Sequence, residues 1–247
     1  MSSCNSTRGR PAYRRLDPGR ISETIVTLST RVRERFPTSG LANVAGELVG
    51  TCDDAVRLAG WLGRPLWWVR GLVVATVVIL GALAIAMFLA IPRRAALFSS
   101  VADLAQGFDA VVNELVLLGL AVFVMSSWET RIKRHRALAA LHELRSLAHI
   151  VDMHQLTKDP VRLLQAGRRT ASSPRVELSR YELVRYLGYC SEMVSLVSKI
   201  AALYVEDFDD AVTLDTVNEI ESLCAGASRK VWQKIVILDP VAGAADV

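Results

Sequence analysis

Apolar positions in this chain repeat with helical period almost from end to end, and nowhere do they alternate as a strand would. Ile21, Ile25, Leu28, Val32 and Phe36 fall three or four apart, which predicts an amphipathic helix ended by Pro37. Leu41, Ala45, Leu48, Cys52, Ala55, Ala59 and Leu62 continue as a second apolar seam, broken by Gly63 and Pro65. From Gly71 to Ile91 the pattern changes: only Thr76 interrupts a run of apolar and small residues. At about 1.5 Å per residue such a run crosses a hydrocarbon core of about 30 Å. A second apolar run extends from about Phe108 to Trp128, with Asp109, Asn113 and Glu114 near its start.

Three further helical seams follow the second run. Ala137, Leu141, Leu144, Ala148 and Val151 mark the first, reaching to about Leu156. Leu183, Leu187, Cys190, Val194, Val197, Ala201 and Tyr204 mark the second, which Ser179 and Glu182 open with capping-box spacing. Val217, Ile220, Cys224, Ala227, Val231, Ile235 and Leu238 mark the third, stopped by Asp239 and Pro240. The fold expected is an all-α membrane protein. A two-span transmembrane hairpin carries a cytoplasmic antiparallel three-helix bundle and N-terminal amphipathic helices. The boundaries are a disordered basic tail over 1–20, amphipathic helices over 21–64 and the hairpin over 65–130, with spans at about 71–91 and 108–128. The bundle takes 131–238, expected to fold alone, and a tail takes 239–247. With no βαβ pattern, nucleotide-binding sheet folds are set aside.

Charge orients the hairpin. Arg57, Arg64 and Arg70 precede the first span, and Arg131, Lys133, Arg134 and Arg136 follow the second. The connector, about 93–108, has only Arg93 and Arg94, so both termini are expected in the cytoplasm of a bacterial inner membrane. Trp67, Trp68, Arg70, Arg93, Arg94 and Trp128 are the expected anchors at the lipid interface. Ala82, Ala86 and Ala90 form a small-residue stripe on which another helix can pack. Arginines number 24 against 5 lysines, a skew that fits a GC-rich genome better than a mechanism. Cys4, Cys52, Cys190 and Cys224 lack the spacing of a disulfide framework or a zinc finger.

Candidate chemistry centres on the histidines, all four of which lie between positions 135 and 154. His135, His142 and His149 share a helix face with Leu138, Arg145 and Asp152. The favoured reading is structural: these polar groups pair with Tyr186, Tyr189 or Glu192 and fix the register of the bundle. A metal site is disfavoured, because residues seven apart on a helix are separated by about 10.5 Å along the axis. The third reading is phosphotransfer. His142, Glu143, Leu144, Arg145 and Ser146 resemble the phosphoacceptor box of sensor histidine kinases, which implies His142 as acceptor and Glu143 as base. The sequence departs from that box at Leu147, where proline is usual, and no glycine-rich ATP-binding domain follows. The expected function is a non-enzymatic, membrane-anchored scaffold, regulator or signal transducer. A phosphorelay component is the alternative and an oligomeric channel the third reading. The expected partners are the bilayer and a protein or second copy bound through the cytoplasmic helices, with no cofactor, metal or specific nucleic acid.

Overall fold

The computed structural model describes residues 15–90, 101–160 and 178–238, and every regular element among them is a helix. In chain order these are α1 (Pro18–Arg35), α2 (Gly40–Leu62), α3 (Trp67–Ala90), α4 (Val101–Leu156), α5 (Arg180–Leu203) and α6 (Ala211–Leu238). The described residues divide into two compact units, one of 15–63 with 137–160 and 178–238, the other of 64–90 with 101–136. The expected tails over 1–14 and 239–247, the connector arginines Arg93 and Arg94, and the side chains of Ala90 and Glu114 lie outside the described residues.

The larger unit contains α1, α2, the second half of α4, α5 and α6 around one core. This differs from the three-helix bundle read from the sequence, because the seams of α1 and α2 are buried in that same core. Both helices pack on α5, which also pairs with α6. The reason is visible on α5. Besides its expected seam it buries Tyr186, Tyr189, Met193 and Ile200, a second apolar face that two C-terminal neighbours alone leave open. Phe36 fills part of that face, its ring edge-on to Tyr186 at 5.4 Å and to Tyr189 at 6.2 Å.

Local sequence sets the ends of these helices. Asp17 caps α1 by accepting from the amides of Gly19 and Arg20, and Pro18 occupies the first turn, where no amide is needed. Helix therefore begins inside the stretch expected as tail, and Arg15 is tied to Glu206 at 3.2 Å and to Asp207. Ser39 caps α2, and the expected capping box of Ser179 and Glu182 is formed at α5. Asp210 caps α6 by accepting from the Thr213 amide at 3.0 Å and hydroxyl at 2.8 Å. Arg180, at the start of α5, donates to the carbonyl of Leu238 at the end of α6, which fixes the antiparallel register of the pair. Gly40, where α2 begins, lies close under His154: a Cβ there would stand 2.5 Å from Cε1 of His154, and the imidazole would have to shift.

In the smaller unit α3 is a 24-residue apolar helix, about 36 Å long, and α4 carries a less apolar stretch that begins at Leu115. Two helical stretches are long and apolar enough to cross a membrane, one ending in α3 at Leu83 and one beginning in α4 at Leu115. Their apolar side chains face outward: Val78, Ile79, Leu115, Val116 and Phe123 are all exposed. α4 is helical over 56 consecutive residues, so the second apolar stretch and the seam of Ala137, Leu141, Leu144, Ala148 and Val151 belong to one helical element.

Candidate functional site

The histidine stripe keeps its helical alignment and loses its interface. Ala137, Leu141, Leu144, Ala148 and Val151 are fully buried, while His142 and His149, each one residue after a seam position, are turned to solvent. One residue is about 100° of rotation on a helix, enough to leave the contact. His135 is exposed as well. The charged members of the stripe find partners on α6, not among the α5 residues expected. Arg145 pairs with Glu219 at 3.1 Å, and Asp152 accepts from Lys230 at 3.4 Å and from Gln155. Tyr186 instead lies under Lys158, 5.2 Å from the ring centre, and Glu192 pairs with Arg31 at 3.3 Å. The pairs that join this stripe to α6 thus involve Arg145 and Asp152, at the exposed edge of the contact.

The histidine that does pack is the fourth, His154. It is half-buried against the start of α2, and desolvation followed by the charge of Lys158 lowers its pKa. His142 and Glu143, the residues of the phosphotransfer reading, both lie open to water. Among the described residues no three His, Cys, Asp or Glu side chains converge as metal ligands. Cys190 and Cys224 are buried thiols. Burial pushes Cys190 up to about 12 and Cys224 up to about 11, so both behave as small apolar groups rather than nucleophiles.

Two arrangements escaped the sequence reading. The first ties the start of α3 to α4 in the smaller unit. Glu129 accepts from the Leu66 amide at 3.2 Å, from Arg70 Nε at 3.4 Å and from Lys133 Nζ at 2.9 Å. Lys133 is buried there, so its ammonium depends on this carboxylate. Arg70 and Lys133, expected as an interface anchor and a topogenic charge, both have a protein partner here. Trp67, Trp68 and Trp128 are exposed. The sequence signal was the Glu-to-Lys spacing of four on one helix, too common to single out.

The second arrangement is a cleft of about 400 Å³ between α1 and α5, lined by Arg31, Glu34, Arg35, Arg185 and Tyr189. The Tyr189 ring has the guanidinium of Arg31 at 5.5 Å and that of Arg185 at 5.1 Å. Arg35 lies 5.4 Å from the ring of Tyr181, about two turns before Tyr189 on α5. Arg185 donates to the Tyr189 hydroxyl at 3.5 Å, while its own Nε is buried with no hydrogen-bond partner. Burial pushes the Tyr189 phenol up, but the Arg185 hydrogen bond and the charges of Arg185, Arg31 and Arg35 outweigh it and hold the pKa below its usual range. In the sequence the signal was two pairs spaced by four, Arg31 with Arg35 and Arg185 with Tyr189. Only the packing of α1 on α5, which the three-helix reading lacked, brings the pairs together.

No known protein family, no curated protein and no solved structure matches the chain.

Proposed function

We propose that this chain is a non-enzymatic, membrane-anchored scaffold, regulator or signal transducer that works through its helical bundle on the cytoplasmic side of the inner membrane. One observation carries the reading. α4 is a single helix that holds both a membrane-length apolar stretch and a fully buried seam of the bundle core. Outward-facing apolar surface of this extent is costly in water and stable in lipid. A helix without an internal break passes a displacement along its axis more faithfully than a linker does. The same rod can equally hold a docking module at a fixed place on the membrane. The tethered bundle presents Met153, Trp232 and Val236 on its surface, apolar side chains suited to a protein partner or a second copy.

Photo-crosslinking in intact cells tests this reading. A crosslinking amino acid placed at Met153 or at Trp232 is expected to give one or two discrete adducts, in cells whose membranes retain the protein after alkaline extraction. A protein that washes off the membrane, or that gives no adduct from either position, would overturn the proposal. The phosphorelay alternative rests on His142 with Glu143 and shares the experiment. Acid-labile phosphate on the wild-type chain that His142→Gln removes would replace the scaffold reading.

A further inference from the structure

The cleft between α1 and α5 goes beyond anchoring or scaffolding, and nothing in it depends on that role. Three guanidinium groups reach this one depression: Arg31 and Arg185 meet at a single tyrosine ring, and Arg35 stands one turn along α1 from Arg31. We propose that the cleft is a binding site for a phosphate-bearing anion, held by Arg31, Arg35 and Arg185, with Tyr189 as its floor.

Three features support the assignment. First, like charges placed together repel, and the folded chain offsets this only weakly. Glu192 pairs with Arg31 and also acts on Arg185, and Glu182 acts on Arg35, but the Arg31–Glu192 pair is exposed on both sides, and exposed pairs contribute little. A dianion between the three groups would compensate them far better than water does. Second, Arg185 is under-satisfied: its hydroxyl contact is at the long limit of a hydrogen bond, and its Nε is shielded from water and unpaired. Turning this planar fork onto a phosphate would supply two good hydrogen bonds in place of one poor one. Third, about 400 Å³ lies within the range of small-molecule sites and matches no bulky partner. The lowered pKa of Tyr189 agrees with three positive charges converging near its hydroxyl.

Glu34 is the one carboxylate among the lining residues, and it opposes an anion. It therefore provides a test that loss of stability cannot mimic. The measurement is calorimetric titration of inorganic pyrophosphate into the full-length protein in phosphatidylcholine nanodiscs. Saturable binding is expected. Arg31→Gln and Arg35→Gln should each weaken it by roughly tenfold, the usual scale for losing one charge-assisted hydrogen bond. Glu34→Gln should tighten it. Arg33→Gln, whose side chain reaches toward Gly46 and not the cleft, should leave it unchanged. A phosphate can also come from a lipid, so a second arm replaces part of the phosphatidylcholine with phosphatidic acid. If that raises the melting temperature and competes with pyrophosphate, and Arg31→Gln abolishes both effects, the anion is a lipid headgroup held in the same cleft. The proposal is overturned if neither probe binds. It is equally overturned if binding survives both arginine substitutions, or if Glu34→Gln weakens binding.

Discussion

At the scale of single residues, two histidines on one helix have opposite environments, and their melting behaviour should differ accordingly. His149 is exposed on α4, so His149→Ala should change stability by no more than about 0.5 kcal/mol. His154, five residues further on, is half-buried against α2 with its pKa lowered first by desolvation and then by Lys158. Its unfolded form takes up a proton near the ordinary histidine value of about 6.5, whereas the folded form resists doing so. Acidification through that value and below therefore favours unfolding, and stability falls as the pH drops toward the lowered folded pKa. His154→Gln should flatten this part of the stability profile between about pH 7 and pH 5.5. Melting temperatures of the full chain in detergent, taken across that range for both variants, check the contrast. An unchanged pH profile in His154→Gln, or a large drop in His149→Ala, would reverse the two assignments.

Between elements, the decisive feature is that α5 is covered on two sides. Each seam was legible in the sequence because helical period is a local property: Leu187, Cys190, Val194 and Val197 mark their face whatever packs there. Tyr186 and Tyr189 are different. A tyrosine beside an apolar stripe suits a wet rim or a second interface equally well, and only the arrival of α1 and α2 decides. Long-range partners such as Phe36 with Tyr186, 150 positions apart in the chain, leave no local trace. The Arg31–Arg185 cleft was hidden for that same reason, and so was the Glu129 cluster, which joins α3 and α4 across their connector. The shared core has a consequence for dissection. A fragment of residues 131–238 would expose Tyr186, Tyr189, Met193 and Ile200 to water, and burial of each large apolar side chain contributes roughly 1.5–3 kcal/mol. That fragment is expected to melt broadly or to aggregate. A chain joining residues 15–63 through a flexible linker to 137–238 should instead be soluble and melt in one cooperative step. Circular dichroism of the two chains distinguishes these outcomes, and a cooperative melt of 131–238 alone would show that α1 and α2 add little to the core.

At the scale of the whole molecule, the proposed membrane placement carries a prediction about sidedness that follows from charge. Arg57, Arg64, Arg70, Arg131, Lys133, Arg134 and Arg136 flank the two apolar stretches on the side of the chain ends, against Arg93 and Arg94 in the connector. Basic residues close to a span resist translocation, and short connectors with few of them cross most readily. Two of the seven, Arg70 and Lys133, are bonded to Glu129 in the folded chain. They still count during insertion, because orientation is set by positive charges near the spans and acidic residues contribute little. Reporter fusions at both ends should therefore score as cytoplasmic, and a fusion within residues 95–100 should score as translocated. A sharper version uses the bias itself. Replacing Arg131, Arg134 and Arg136 with glutamine, leaving the Lys133–Glu129 pair intact, and adding four lysines to the connector removes most of the asymmetry around the second span. That variant is expected to split between orientations, with a fraction of its C-terminal reporter outside. If it stays wholly cytoplasmic, the bundle is being retained by its own folding or by a bound partner, and the arginines are not what orients the protein. If the unaltered chain already exports its C-terminus, both the topology and the cytoplasmic role built on it are wrong.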